Sequence, residues 1–136
     1  MIPYQTKTKR FTRNEYREVR KQAIILLNKI KKQTKRRPYV RSTYFNKQKI
    51  FFDFFWKHLF QKNPKERIRR LQYLAPALEI IKNSKNHPLS EENPHKKSEI
   101  LHRFAGLTKD KELFYVQIKE NKRNNKKYFM SCFPLE

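Results

Sequence analysis

The pattern of apolar and polar positions changes abruptly in the last third of the chain. Three runs there alternate with a period of two residues, as strands do, and they cover residues 98–108, 112–119 and 127–133. In the middle run, Phe114, Val116 and Ile118 fall on one face and polar side chains on the other. The links between the runs are short and suit hairpins. The pattern predicts an antiparallel sheet of three or four strands, with one face on a core and one in water.

The earlier part of the chain has a helical period instead. The spacing predicts a first helix that begins at Thr12, where Thr12 and Glu15 match a capping box, and ends before Pro38. A second helix is predicted over about 43–61. Aromatic residues cover most of its circumference, which is typical of a buried central helix.

A third helix is predicted to open at Asn63, with Asn63 as its cap and Pro64 in the first turn. Pro76 lies inside this pattern and should kink or split the helix. The turn-forming composition of residues 83–97 predicts a linker before the sheet.

The predicted fold is a single α+β domain over residues 1–136, with about three N-terminal helices on one face of the C-terminal sheet. Within it, we expect a loose basic arm at 1–11 and a basic helical region at 12–84. The antiparallel sheet at 98–134 would carry the candidate site.

The charge of the chain indicates an anionic partner. The chain has 136 residues and a net charge of +22, and residues 1–90 hold 24 of its 34 Lys and Arg residues but 5 of its 12 Asp and Glu residues. Such a field attracts a polyanion, and nucleic acid is the usual one. An acidic protein and an anionic membrane surface are the alternatives. A single glycine excludes a glycine-rich phosphate loop.

The sequence also argues against a disulfide-bonded, membrane-spanning, secreted or metal-binding protein. One cysteine, Cys132, allows no internal disulfide and fits a reducing cytoplasm. The apolar run Ile50–Phe60 is too short to span a bilayer, and the N-terminus lacks a signal-peptide core. His58, His87 and His95 show no metal-ligand spacing. We therefore expect no cofactor and no metal site.

Candidate chemistry lies on the wet face of the predicted sheet, which carries Tyr115 and Lys119. The hairpin register decides whether His102 or Arg103 joins them, since a slip of one residue exchanges the faces. Tyr128 or Ser131 would complete the patch. These residue types can cleave RNA without a metal. Histidine moves the protons, and Arg and Lys stabilise the phosphorane.

Each of these residues also has an ordinary structural interpretation. His102 lies in an apolar stretch where a packed histidine is common, and Arg103 could pair with Glu99. Lys119 is one of many lysines in a basic chain, and Ser131 could simply pack. These alternatives remain open at this point.

The segments Leu101–Thr108, Leu113–Lys119 and Lys127–Pro134 resemble the barnase–EndoU–colicin–RelE-like (BECR-type) nucleases of phages and bacteria, and the similarity covers residues 65–134. The resemblance implies helices followed by an antiparallel sheet, and a metal-independent RNase activity of toxin type. Its active residues would fall on His102, Arg103, Thr108, Tyr115, Lys119 and Ser131.

The sequence thus predicts a metal-independent endoribonuclease of toxin type. The predicted catalytic residues are His102, Arg103, Tyr115, Lys119 and Ser131. The predicted nucleic-acid contacts are Thr108, Arg17, Lys21, Arg36, Arg37, Arg67, Arg70 and Tyr128. The expected partners are RNA, free or ribosome-bound, and an acidic antitoxin or inhibitor protein. The alternatives are a non-catalytic nucleic-acid-binding protein and a mobile-element protein that binds an acidic protein.

Overall fold

The computed structural model describes residues 1–135, which form seven strands and four helices. The strands are β1 (Tyr4–Gln5), β2 (Tyr39–Ser42), β3 (Gln48–Phe51), β4 (Leu89–Glu92), β5 (Glu99–Leu107), β6 (Leu113–Asn121) and β7 (Lys127–Pro134). The helices are α1 (Tyr16–Gln33), α2 (Phe55–Phe60), α3 (Pro64–Gln72) and α4 (Leu74–Asn83).

All strands belong to one curled, mixed sheet of order β1-β5-β6-β7-β3-β2, with β4 also paired to β5. The predicted strands are its antiparallel centre, β5–β6–β7. Two parallel pairs flank this centre, β1 with β5 and β3 with β7. The α+β class is right, but the predicted architecture is wrong, because the N-terminal region supplies strands as well as helices.

The largest correction falls on the region predicted as helix two. Residues 39–51 form the β2–β3 hairpin, in which Val40 faces Ile50 in the core and Arg41 faces Lys49 outside. The turn between them is closed by a positive φ at two residues, Asn46 among them. Only the short helix α2 remains of the prediction. Short apolar runs fit a strand or a helix equally well, which explains the error.

The first helix begins later than predicted. Its N-cap is Glu15, and no side-chain hydrogen bond caps it. The predicted capping box of Thr12 with Glu15 is therefore wrong. The apolar stripe is nevertheless buried, with Val19 and Ala23 fully covered.

The third predicted helix is capped and split as expected. The Asn63 side chain accepts a hydrogen bond from the Glu66 N–H at 2.9 Å, and the helix divides at Tyr73 into α3 and α4. Pro76 has no N–H to offer the Gln72 carbonyl four residues earlier. The Phe11 N–H donates to that carbonyl instead, at 2.8 Å.

Two segments predicted to be irregular are ordered parts of the sheet. The predicted basic arm supplies β1, and the backbone N–H groups of Lys7 and Thr8 donate to the Glu79 carboxylate at 2.9–3.1 Å. In the predicted linker, β4 pairs with β5 along its outer edge. Neither a loose arm nor an unstructured linker is found here.

Cross-strand pairing divides the central strands into two faces. The core face carries Phe104, Val116 and Cys132 in one row, all buried beneath the helices. At Gly106 on this face, a Cβ atom would lie 2.2 Å from Ile80 Cδ1 of α4, so the single glycine permits this close approach. In the described part of the chain, no helix has the length and apolar character needed to cross a membrane.

Candidate functional site

The opposite face of the central strands, here called the open face, carries the polar residues. Its rows are Arg103–Gln117–Ser131, Ala105–Tyr115–Phe133 and Leu101–Lys119–Tyr128. This arrangement follows from the β5–β6 register, in which Leu107 pairs with Leu113. Of the two alternatives left open by the sequence, the register places Arg103 on the face of Tyr115, and places His102 on the other.

His102 lies within a polar network on the core face. It is 7% exposed. Its Nδ1 lies 2.7 Å from Ser90 Oγ, and its Nε2 lies 2.9 Å from Glu120 Oε1. Both ring nitrogens are therefore used, and the ring edge packs against Phe45. The predicted catalytic role of His102 lacks the geometry that the prediction assumed, since Tyr115 and Lys119 face the other way.

A cavity of about 500 Å³ opens on the open face, beside the α2–α3 junction, and we call it the α2–β7 cavity. It brings together three of the predicted catalytic residues, Arg103, Tyr115 and Ser131. Its other lining residues are His58, Lys62, Arg70, Gln117, Phe133, Pro134 and Leu135. Among the described residues, the lining includes three cations and no carboxylate. Such a cavity favours an anionic ligand.

Arg70 is held in the cavity wall by contacts on several sides. Its Nη1 donates to Ser131 Oγ at 2.6 Å, and its guanidinium lies 5.2 Å from the centre of the Phe133 ring. On α3, its Nε lies 3.5 Å from a Glu66 carboxylate oxygen. The Cys132 thiol also donates to the Arg70 carbonyl, at 3.2 Å. These contacts fix α3 along the edge of β7 and orient the guanidinium.

Arg103 approaches the same ring from β5. Its guanidinium lies 5.4 Å from the centre of the Phe133 ring and 5.8 Å from that of Tyr115. The side chain is exposed. Two guanidinium groups, of Arg70 and Arg103, thus lie around one aromatic ring, and planar guanidinium groups are suited to bind phosphate oxygens in pairs.

His58 brings a titratable imidazole to this cationic cavity. Burial lowers the pKa of His58 below its ordinary value of 6.5, and the positive charges of Lys62 and Arg70 lower it further. The ring is therefore neutral at pH 7 and able to accept a proton. Sequence reasoning missed His58 as a site residue because it was assigned to a central helix. The i, i+4 spacing of His58 and Lys62 beside the buried pair Phe55 and Leu59 is the signal that could have found it.

Lys119 and Tyr128 share the open face but are engaged elsewhere. Lys119 Nζ lies 3.4 Å from a Glu99 carboxylate oxygen and 4.1 Å from the centre of the Phe54 ring. Tyr128 is 9% exposed and packs against Phe54. Neither residue lines the α2–β7 cavity, and the Tyr128 ring offers no open surface on which a base could stack.

Thr108 and Arg67 have structural contacts. Thr108 is fully buried, and its Oγ1 accepts a hydrogen bond from the Glu112 N–H at 3.1 Å across the β5–β6 link. Arg67 Nη2 donates to the Phe60 carbonyl at 2.8 Å, joining α3 to α2. Contact with nucleic acid by these two residues remains a prediction.

The other predicted nucleic-acid contacts lie outside the α2–β7 cavity. Arg17 and Lys21 are exposed on α1, and Arg36 is exposed in the segment that follows. Arg37 is bound to Asp53, with Nη2 and Oδ2 2.5 Å apart, and lies 4.1 Å from the centre of the Phe51 ring.

Within residues 1–135, no group of three or more His, Cys, Asp or Glu side chains is placed to hold a metal ion. No family model matches the chain, and neither a curated protein nor a solved structure matches it. The resemblance to the BECR-type nucleases therefore stays a prediction.

Proposed function

We propose that this protein is a metal-independent endoribonuclease whose reaction takes place in the α2–β7 cavity. The observation that carries this proposal is a half-buried imidazole, with a lowered pKa, among three cations, a phenol and a hydroxyl. A neutral histidine can take the proton of a ribose 2′-OH, and neighbouring arginines can stabilise the charge that then develops on the phosphate.

In the proposed reaction, His58 accepts the proton of a ribose 2′-OH, and the 2′ oxygen attacks the adjacent phosphorus. Arg70 and Arg103 bind the phosphate oxygens and stabilise the extra negative charge of the phosphorane. Ser131 Oγ, which accepts from Arg70 at 2.6 Å, keeps that guanidinium in place.

The bond from phosphorus to the 5′ oxygen then breaks, and the leaving oxygen takes a proton. Tyr115 is the proposed donor, because its ring lies in the cavity wall beside Arg103. The products are a 2′,3′-cyclic phosphate and a 5′-hydroxyl. His58 and Tyr115 exchange protons with solvent before the next turnover. Every step uses residues of the cavity, with no oxidant or reductant.

A non-catalytic nucleic-acid-binding protein is the second candidate. The net charge of +22 supports it without any chemistry, because phosphate contacts supply most non-specific affinity. The same charge supports an acidic inhibitor protein as a partner of the nuclease. The single cysteine, Cys132, suits a reducing cytoplasm, and a cytoplasmic location is part of the proposal.

The test is cleavage of a single-stranded RNA in EDTA by the wild-type protein and by His58→Gln. We expect cutting that leaves 2′,3′-cyclic phosphate ends, and a loss of about 100-fold or more in the variant, the usual contribution of a general base. His95→Gln, which changes an exposed histidine in the segment between β4 and β5, is the matched control and should cleave normally.

Salt-sensitive binding of RNA with no cleavage, on free RNA or on ribosomes, would contradict the nuclease and leave the binding protein. Cleavage that survives His58→Gln but is lost in a folded His102→Gln would return the chemistry to the core face.

A further inference from the structure

A second cavity, of about 470 Å³, lies between α1 and α2, and we call it the α1–α2 groove. Half of its lining residues are apolar, namely Ile24, Leu27, Pro38, Phe52, Trp56 and Phe60. Trp56 and Phe60 lie one helical turn apart, with ring centres separated by 5.9 Å and planes inclined by 26°. Phe60 is 48% exposed, so part of this aromatic pair is open to solvent.

The rim of this groove is basic. Arg20 and Lys31 reach it from α1, and Arg36 and Arg37 from the segment that follows. Among the described residues, the one carboxylate of the lining is that of Asp53. It is neutralised by Arg37, whose Nε–H is shared between the two carboxylate oxygens, with Nε 2.9 Å from each. Flat aromatic surface below and positive charge above is the combination that holds a nucleobase and its phosphate.

Helix α2 separates the groove from the α2–β7 cavity. Phe55 and Leu59 anchor it in the core, while Trp56 and Phe60 point into the groove and His58 into the cavity. Because a helix with its side chains is about 10–12 Å across, one nucleic-acid strand can reach both sites. A duplex cannot use the groove, since the faces of its bases are already stacked.

We propose that the α1–α2 groove binds an unpaired nucleobase of the RNA strand whose phosphate lies in the α2–β7 cavity, so that single-stranded RNA is the substrate. This inference rests on the proposed function for its choice of ligand. The length of the basic surface favours RNA over an acidic helix of a partner protein, because the rim continues past Arg36 and Arg37 to Lys35 and Lys49. That extension suits a phosphate chain longer than the groove.

Trp56 is the single tryptophan of the chain, so its emission reports on this groove alone. The probe is a short single-stranded 2′-O-methyl oligonucleotide, which lacks the attacking hydroxyl and cannot be cleaved. We expect it to quench Trp56 saturably. An oligonucleotide of the same charge with abasic positions, a matched duplex and polyphosphate should each quench much less.

Two pairs of variants locate the effect. Phe60→Ala should weaken the binding measured by quenching about 10-fold, the scale of one lost base stack. Leu89→Ala, at a side chain of equal exposure (49%) on β4, should not. Arg36→Gln should weaken binding at low salt, and Lys65→Gln, at an exposed lysine on α3, should have less effect.

Equal quenching by the abasic strand, the duplex or polyphosphate would overturn the inference, because charge alone would then explain it. Quenching by an acidic peptide but not by the oligonucleotide would also overturn it, in favour of a protein partner. His58→Gln separates the two proposals, since it should lower cleavage about 100-fold or more while saturable quenching of Trp56 by the oligonucleotide persists. Quenching by the oligonucleotide without cleavage of RNA by the wild type would support the groove and contradict the nuclease.

Discussion

A histidine lies at each face of the central sheet, His102 of β5 on the core face and His58 of α2 beside the open face, and the two have different surroundings. On the core face, both nitrogens of His102 have partners within 2.9 Å, and Lys127 lies 3.8 Å from the same Glu120 carboxylate. At the open face, no hydrogen bond to the His58 ring is found among residues 1–135. A fully partnered histidine contributes to stability, while a histidine with free nitrogens beside a cavity is available for proton transfer.

After His58→Gln, the largest effect on cleavage should come from a change at Arg103 on the open face. Arg103→Gln removes a phosphate-binding charge from the α2–β7 cavity, and we expect RNA cleavage to fall about 100-fold, as for other lost transition-state donors. Because Arg103 is exposed, the free energy of unfolding of the variant protein should differ from that of the wild type by less than about 0.5 kcal/mol. Initial cleavage rates and urea unfolding measure the two quantities.

Lys109→Gln, at an exposed position in the β5–β6 link, is the control for Arg103 and should leave the rate within a few fold. An Arg103→Gln protein that cleaves as fast as the wild type would remove the open face from the mechanism.

The reverse result is expected for His102→Ala on the core face. The change leaves Glu120, whose side chain is 17% exposed, without its hydrogen bond from the ring. We expect the free energy of unfolding to fall by about 1–3 kcal/mol, the cost of an unsatisfied buried polar group. Cleavage per folded molecule should be unchanged. A stable variant without activity would contradict this division of the two faces.

Gly106→Ala tests how closely the helices pack on the core face. The new Cβ would lie 2.2 Å from Ile80 Cδ1 and 2.9 Å from the Phe114 ring. We expect a loss of about 1–3 kcal/mol, as for other overpacked cores, seen as a lower unfolding midpoint. Ala105→Gly, one residue earlier on the opposite face, should cost less, about 0.5–1 kcal/mol. An equal or smaller loss at Gly106 would show that α4 moves away easily.

The smallest effect concerns pH. The pKa of His58 in the folded protein is below 6.5, the ordinary value that it has in the unfolded chain. At a pH between these two pKa values, the unfolded chain therefore binds more protons than the folded one. This contribution to stability is present above pH 6.5 and is lost as the pH falls through the folded pKa. The acid limb of the cleavage profile should therefore lie below pH 6.5. Lys62→Gln removes one of the charges that lower this pKa, and should move the limb upward.

The measurement is the pH profile of cleavage by the wild type and by Lys62→Gln, which gives the position of the acid limb in each protein. A limb that stays in place in Lys62→Gln but moves in His102 variants would assign the titration to the core face.

The sequence predicted some local features of the fold and the antiparallel β5–β7 strands, and missed the pairing of the N-terminal strands. The alternation in β5–β7 and the Asn63 cap depend on neighbouring residues, and both were predicted. The hairpin of β2 and β3 was not predicted, because Phe51 and its neighbours form an apolar run that fits the period of a helix as well as that of a strand. Its strand identity is fixed by pairing of Phe51 with Tyr128, 77 positions away.

The sequence predicted several residues of the candidate site but not how they are grouped. Arg103, Tyr115, Ser131 and Arg70 were named from the sequence and line one cavity. Their grouping depended on a register that composition could not decide, and Arg103 rather than His102 follows from it. His58 was not named, because its side chain reaches the cavity only through the packing of α2 on β7, where Phe55 stacks on Phe129 with ring centres 5.0 Å apart.

The two parallel strand pairs also govern how this chain can fold. β1 pairs with β5, which lies about a hundred residues later in the chain, and β3 pairs with the similarly distant β7. Such distant pairings close large loops before any contact repays the entropy, so folding should be slow for a chain of this length. β7 completes both the sheet and the α2–β7 cavity. The cavity can therefore form only after β7 has been synthesised and has paired with β6.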